Sequence, residues 1–487
     1  MIDRSVLAHA TILVPALLTI LLTVVPRRAL RAVATVGALA TALPALLLTT
    51  AALTHPGEVD AGDWIAVDVA GGLLVGVVAL VGGVGVLLSP AYLDSLTGAL
   101  VAPPRRERLY YTVLFAFWAT LTAVPLAGNL GVAWLLIEAT TATSALLVAF
   151  SGKPRALEAG WKYLVLTSLG LGVALLGIVL LSAGAPHGGL TALSWGSLGD
   201  YDAGRENALV AYLLVMIGLA AKIGLAPVHN WLPDAHSEAP APVSAMLSAA
   251  LLPSVLLVAW RCQQGLVPVL GERSGQSVFV VLGLLSIGVA VPFLSRSLAW
   301  KRLLAYSSLE HMGVIALGIG FGGPLGLAGA AVHVVGHAVA KTLGFVAMTP
   351  LVAHEPQAAR GPVSGIGRTQ PALGSVLGLA LGALSGLPPS PLLVSEMLIE
   401  AGGFASGRPW AAAAAAVLLA LAFLGLFQSL LETTVGESRP RQEGRPGGLR
   451  GVTVLAGVSV LLLLGLAGAA AWLPDTQIVQ ALARGVS

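Results

Sequence analysis

Charge is scarce in this 487-residue sequence. Asp, Glu, Lys and Arg together make up 10 % of it, against roughly 25 % in ordinary soluble domains. Ordinary cytosolic, disordered and collagen-like chains are excluded at once. A single cysteine, Cys262, excludes a disulfide framework and any cysteine-ligated iron–sulfur cluster within the chain. Segments of alternating polarity are lacking, which excludes a transmembrane β-barrel. No Walker A loop, GxGxxG dinucleotide turn or zincin motif stands in a suitable context. The connections between apolar runs reach only about 20 residues, too short for a soluble catalytic domain. Net charge is +3 and the pI about 9.1, which carries no signature of nucleic-acid binding.

What is present is apolar. Hydrophobic residues make up 56 % of the chain, and the mean hydropathy is +0.89. A helix needs about 20 apolar residues to cross a bilayer. That length predicts an all-α polytopic membrane protein with fourteen spans, near 6–25, 30–53, 70–88, 109–127, 129–150, 161–183, 207–227, 242–262, 277–294, 303–321, 325–350, 373–399, 409–431 and 451–473. The first run has only Arg4 against Asp3 and no small-residue cleavage site. It is read as a helix rather than a signal peptide.

Fourteen spans put both termini on one side, and basic residues choose which. The connections after spans 1, 3, 5, 9, 11 and 13 hold 18 of them: Arg27, Arg28, Arg31, Arg105, Arg106, Arg108, Lys153, Arg155, Lys162, Arg296, Lys301, Arg302, Arg360, Arg368, Arg439, Arg441, Arg445 and Arg450. The opposite side holds 6, namely Arg4, Arg205, Arg261, Arg273, Arg408 and Arg484. Basic residues collect in the cytoplasm, so both termini are expected outside a plasma membrane. The second connection, with Glu58, Asp60, Asp63 and Asp68 and no Lys or Arg, suits the outer side.

Two basic residues remain, Lys222 and Lys341, and both lie inside spans. A charge near the bilayer centre costs at least ~2.5–3.5 kcal/mol, so each intramembrane ionisable group is a candidate functional residue. The set comprises Glu138 in span 5, Lys222 in span 7, Glu310 and His311 in span 10, His333, His337 and Lys341 in span 11, and Glu396 in span 12. Acids and bases spread over five helices suit a proton relay. His333, His337 and Lys341 follow i, i+4, i+8 spacing and stack along one helix face in steps of roughly 6 Å. Imidazole can both accept and donate a proton, and burial shifts lysines and carboxylates towards neutral forms that exchange protons near pH 7. Each group also has a structural reading. A membrane histidine can serve as a helix–helix hydrogen-bonding group, and Glu138 with Lys222 can be a purely structural ion pair. Histidines at i, i+4 could ligate a metal, but no carboxylate or cysteine completes a site beside His333 and His337, so no metal is expected.

Two spans should be broken. Span 7 runs into Lys222-Ile-Gly-Leu-Ala-Pro227, and span 12 contains Ser385-Gly-Leu-Pro-Pro-Ser-Pro391. Proline removes a backbone donor and clashes with the preceding turn, which nominates Pro227, Pro388, Pro389 and Pro391 as helix breaks. The broken helix is the fourth member of each of two five-helix units, 109–262 and 277–431. These lie between three N-terminal helices (1–108) and a C-terminal helix with its tail (451–487). Interrupted helices in corresponding positions point to an inverted repeat of the transporter kind.

The run Lys222-Ile-Gly-Leu-Ala-Pro-Val-His-Asn-Trp-Leu-Pro-Asp-Ala-His-Ser-Glu-Ala-Pro240 resembles the antiporter-like proton-channel subunits of complex I, Mrp-type cation/proton antiporters and membrane-bound hydrogenases. The likeness extends from about 109 to 400. It includes Lys301-Arg-Leu-Leu-Ala-Tyr-Ser-Ser-Leu-Glu-His-Met-Gly313 and the segment from Ser385 to Glu396. Ile137-Glu-Ala-Thr-Thr141 and Glu310-His311-Met312-Gly313 lean towards hydrogenase-4 component F. The resemblance implies that Glu138 and Lys222 form a coupled pair at a cytoplasmic half-channel. It implies that the span-11 row carries the proton across and that Glu396 passes it outward. His229, Asp234, His236 and Glu238 could be imagined as a metal site, but the resemblance makes them structural and proton-entry groups. Cofactors are expected on partner subunits, as iron–sulfur clusters and nickel–iron, and none in this chain. The partners would be other membrane subunits and a peripheral redox arm. One departure stands out: complex I subunits often carry a lysine in span 8, where this chain has Pro253. The link from Lys222 to the span-11 row must then use water, Glu310, His311 or the loop.

Three readings follow: an outward proton-translocating subunit of a hydrogenase-4-like or complex I-like redox complex, an Mrp-type cation/proton antiporter subunit, and a non-pumping membrane anchor for a hydrogenase arm. The chain ends about 14 residues after span 14, without the long lateral helix of the largest complex I subunit. Reporter fusions test the topology. Those after residues 28, 106 and 440 should read cytoplasm, and those after 60, 200 and 487 the outside. A cytoplasmic C-terminal reporter would remove one helix from the count.

Overall fold

The computed structural model describes residues 3–56, 60–61, 64–96, 104–186, 191–437, 449–470 and 472–484. Glu58, Asp63, Arg439, Arg441 and Arg445 lie outside the described residues. The described residues are mainly helical, and the principal helices are α1 (Arg4–Val24), α2 (Arg27–Thr54), α3 (Val69–Leu96), α4 (Pro104–Ala123), α5 (Leu130–Val148), α6 (Pro154–Ala183), α7 (Arg205–Ile223), α8 (Leu232–Glu238), α9 (Ala241–Gly265), α10 (Glu272–Leu294), α11 (Trp300–Phe321), α12 (Gly323–Val346), α13 (Pro371–Leu384), α14 (Pro391–Ala405), α15 (Pro409–Val435) and α16 (Leu449–Ala470). Among the described residues the only strands are the pair Asp60–Ala61 and Ala66–Val67.

Among the described residues, thirteen helices are long and apolar enough to cross a membrane. α13 and α14 are each too short, and together they make the broken twelfth span. α9 and α11 are buried along their whole apolar windows and form the centre, whereas α1, α6, α15 and α16 turn most of theirs outward. Leu17, Leu169, Val417 and Leu461 are among the large apolar side chains on that outer face. Such continuous apolar surface belongs against lipid. The protein is a polytopic all-α membrane protein.

The two expected breaks share one geometry. Gly224 and Gly386 take left-handed backbone, with φ of 76° and 71°, a conformation that glycine adopts without a Cβ clash. Leu225 N–H then donates to Ala220 O at 3.0 Å, and Leu387 N–H to Gly382 O at 3.0 Å. A tight turn follows in each, Val228 N–H to Leu225 O at 3.0 Å and Ser390 N–H to Leu387 O at 2.8 Å. Both breaks therefore read Gly-Leu-X-Pro, and the peptide bonds before Pro227 and Pro389 are cis. In an apolar interior freed backbone groups must be re-satisfied by protein, and these turns do so. One expectation is corrected. Pro391 does not break a helix but opens α14 behind the N-cap Ser390, whose hydroxyl accepts from Leu392 N–H. Proline is well placed at a first helical position because its N–H would be unpaired there anyway.

Pro253 sits in the middle of the ninth helix without breaking it. The turn Leu247–Leu251 just before it is a π-helix. A regular α-turn would press the proline ring against the carbonyl four residues back, and the wider i→i+5 turn makes room for it.

Away from the breaks, one buried ion pair ties three segments. Arg261, near the end of α9, donates to Asp68 Oδ1 at 2.7 Å and to Pro125 O at 2.9 Å. Asp68 Oδ1 also accepts Gly71 N–H at 2.6 Å, in the first turn of α3. The side chains are 1 % and 6 % exposed. Removing one partner of such a pair strands the other charge. Asp68→Asn should therefore destabilise the protein by ~3–5 kcal/mol, read as a lowered unfolding midpoint in detergent. The double variant Asp68→Asn/Arg261→Met should recover part of that loss, and additive losses would count against a coupled pair.

Candidate functional site

The ionisable residues of the interior form two clusters joined by a row of aromatic rings. In the first, Lys222 lies on the last turn of α7, fully buried. Its ammonium donates to Thr141 Oγ1 at 2.6 Å and to Tyr163 OH at 2.5 Å, and lies 4.6 Å from the centroid of the Tyr163 ring. Because Tyr163 accepts from the lysine, its own proton points to Ser144 Oγ, 2.7 Å away. Glu138 is half-buried on α5, where Ser168 Oγ donates to its Oε1 at 2.7 Å and its Oε2 has no protein partner. Glu138 and Lys222 thus do not touch. They share one face of α5 through Thr141, three residues along from Glu138.

The connection after α7 carries the four residues expected at proton entry. Asp234 is ion-paired to Lys162 at 3.2 Å and to Arg302 at 3.6 Å, and so pins α8 between α6 and α11. His229 is half-buried, and burial holds its imidazole below the usual pKa, against the raising effect of a hydrogen bond to the Pro227 carbonyl. Glu238 is likewise half-buried. His236 is fully buried with both ring nitrogens unpartnered. The Tyr163 and Trp231 rings stand 4.7 Å apart, Trp231 and His236 6.1 Å, and His236 and Phe345 5.7 Å. These contacts carry the interior from the Lys222 cluster to α12. The four residues do not converge as metal ligands.

The second cluster lies between α11, α12 and α14. Lys341 donates to Leu304 O at 2.6 Å and makes a short hydrogen bond to Ser307 Oγ. One turn along α12, the His337 ring stands 5.1 Å from that of His311, which stands 5.1 Å from that of His333. His311 therefore inserts between the two histidines of α12, and the row is a zigzag rather than a straight stack. His311 Nδ1 and His333 Nε2 are 3.0 Å apart, and His333 Nδ1 is 2.9 Å from Ser395 Oγ. Gly329 makes this approach possible, since a Cβ there would lie 2.8 Å from Ser395 O. Glu310 Oε2 is 3.4 Å from His311 Nε2, without hydrogen-bond geometry. Glu396 completes the group: one ligand atom each from Glu310, His311 and Glu396 lie within 4.8 Å of one another. This group centres on His311 and leaves the i, i+4 pair His333 and His337 outside it. The acids come from α11 and α14 and surround His311, which the spacing along α12 could not reveal. Beyond this cluster, at the Gly323 end of α12, a cavity of about 410 Å³ is lined by Glu272, Gly322, Gly402 and Ser406.

The sequence matches the model of one family, described as NADH:quinone oxidoreductase/Mrp antiporter, transmembrane, over residues 127–422. That is more than half of the chain. The chain belongs to this family. It is 33 % identical over 348 residues to a hydrogenase-4 component F homolog of Methylacidiphilum infernorum, covering 70 % of this chain and 72 % of that one. It is 29 % identical to NADH-quinone oxidoreductase subunit N of Granulibacter bethesdensis, with 67 % of each covered. In fold it is similar to a chain of the membrane-bound sulfane sulfur reductase, an archaeal respiratory membrane complex. The TM-score there is 0.84 at 19 % identity, over 99 % of this chain and 97 % of that one. The structural relatives are chains of multi-subunit membrane complexes, and antiporter-like subunits of this family are membrane parts of such assemblies.

Within this family member, several site residues escape a reading by motif. Glu400 lies one turn beyond Glu396, half-buried with neither oxygen partnered, and its i, i+4 spacing was a legible signal. Lys301 looks like a topology-setting charge. It is instead buried and donates to Ser237 O at 2.9 Å and, in a short contact, to Ala239 O at the end of α8. A lysine there satisfies helix-end carbonyls and the negative end of the dipole. Tyr163, Ser395 and the Ser248–Ser308 hydroxyl pair, 2.7 Å apart, have no sequence signature. Two substitutions compare the clamps on α8. Lys301→Met, which removes buried charge-assisted bonds, should cost ~1.5–3 kcal/mol in a detergent unfolding titration. Asp234→Asn, at a half-exposed site, should cost under ~1 kcal/mol.

Proposed function

We propose that the chain is a proton-translocating subunit of a hydrogenase-4-like or complex I-like redox complex in the plasma membrane, with both termini outside. Protons enter beside His229 and Asp234, pass Glu138 and Lys222, cross by way of His236 to Lys341, and leave through His337, His311, His333, Glu310 and Glu396. Units 109–262 and 277–431 each contribute one broken helix to this path. Redox chemistry and its cofactors belong to partner subunits, whose turnover supplies the energy.

The observation that carries this reading is the zigzag of three buried imidazoles between a lysine and two carboxylates. With both rings neutral, His311 donates from Nδ1 to His333 Nε2. A proton taken up at His311 Nε2, on the Glu310 side, lets the Nδ1 proton pass to His333 Nε2, which leaves His311 neutral with its proton on Nε2 and His333 charged. A proton is thereby handed on by reversing one hydrogen bond, with no large movement.

Charge-removing substitutions in the reconstituted complex test this. Glu138→Gln should abolish pumping while leaving the partner's redox activity with an artificial acceptor. Glu396→Gln should also abolish it, and Glu396→Asp, which can still ionise, should retain part. Native pumping by both Gln variants would leave the relay without its entry and exit, and the anchor reading would take its place.

A further inference from the structure

We propose that Glu310, His311 and Glu396 form a binding site for a divalent transition-metal cation of the zinc class, which competes with the proton for His311 Nε2. The direction of one hydrogen-bond chain leads to this. Ser395 Oγ lies 2.7 Å from Leu392 O and 2.9 Å from His333 Nδ1. A carbonyl oxygen cannot donate, so the single hydroxyl proton goes to Leu392 and Ser395 accepts from His333 Nδ1–H. A neutral His333 then presents a lone pair at Nε2, and His311 must donate to it from Nδ1. His311 Nε2 is left as a second lone pair, with no hydrogen-bond partner and no exposure.

That lone pair faces Glu310 Oε2 at 3.4 Å, on a side chain that is also buried and whose Oε2 is equally unpartnered. Two acceptors turned towards each other in an apolar interior call for a positive species between them. A proton is one answer, and a metal ion is the other. Ligand atoms around tetrahedral zinc, bound at about 2.0–2.1 Å, stand roughly 3.3–3.5 Å apart. The Glu310–His311 pair already has that separation. Glu396, within 4.8 Å of both, needs only a side-chain adjustment to supply the third ligand, and a solvent molecule takes the fourth position. The remaining ring nitrogen of His311 is held by His333, the kind of outer partner that fixes a ligating imidazole in its metal-binding tautomer. A mixed set of neutral imidazole and carboxylates, with no thiolate, suits zinc better than soft monovalent ions and better than calcium, which prefers an all-oxygen shell.

Zinc itself is the probe, added to the purified full chain in detergent, with no partner subunit and no pumping required. One ion should bind at this site, and its X-ray absorption should fit one imidazole with oxygen ligands at about 2.0–2.1 Å. His311→Gln and Glu310→Gln should each weaken binding at least tenfold. Ser395→Ala, which leaves all three ligands in place, should weaken it by roughly 10–100-fold through loss of the outer support. A bound zinc without an imidazole, or with more than one, would overturn the site, as would affinities unchanged in folded Glu310→Gln and Ser395→Ala. Absence of any stoichiometric zinc on the wild-type chain would do the same, and that measurement needs no variant to fold.

Discussion

The 3.0 Å contact between His311 and His333 is the joint on which the interior turns. It is the bond that links α11 to α12 through ionisable groups, and its direction is imposed from α14 by one serine hydroxyl. Every other polar group of the second cluster takes its role from that choice. Lys341 below is held by α11 through Leu304 and Ser307, and the carboxylates above lie around the free nitrogen of His311. Packing makes the joint possible, because α12 is glycine where α14 crosses it at Gly329. A bulkier residue there would part His333 from Ser395.

The first cluster solves the same physical problem differently. A buried ammonium must be fully bonded, since desolvating a charge without partners is prohibitive. Lys222 meets this with a threonine, a tyrosine hydroxyl and the tyrosine ring rather than with the carboxylate of Glu138. The charge remains formally uncompensated by a touching acid, and Glu138 keeps one oxygen free. The two clusters therefore differ in kind: one cradles a cation with neutral hydroxyls, and the other gathers carboxylates around imidazoles.

Much of this was legible in the amino-acid order. Apolar runs of membrane length locate the helices, because lipid imposes both length and composition, and the prolines inside two of them locate both breaks. Lys222, Lys341 and the histidines were conspicuous because charge is otherwise so rare. What could not be read were contacts made across the fold. Arg261 and Asp68 are separated by 193 residues, and neither lies in a motif. His311 enters the α12 row from another helix, so periodicity along span 11 gave a straight stack in place of a zigzag. Lys301 reads as a loop charge because position alone does not show that a lysine folds inward to cap α8. Pro391 reads as a break in the sequence because its ring is the same whether it ends one helix or begins the next.

The π-turn at Leu247–Leu251 bears on how this protein is compared with others. A π-turn amounts to one residue inserted into a regular helix, and each residue advances the helix by roughly 100°. All side chains after it, including Pro253 and Arg261, are rotated by that amount relative to those before it. Arg261 reaches Asp68 on the rotated phase. Counting forward from the Lys222 run to find the equivalent of a span-8 lysine in a relative with an unbroken α-helix therefore lands on the wrong azimuth. Correspondence across the ninth helix has to be drawn by direction in space, with Ser248 and Pro253 referred to different phases of one cylinder.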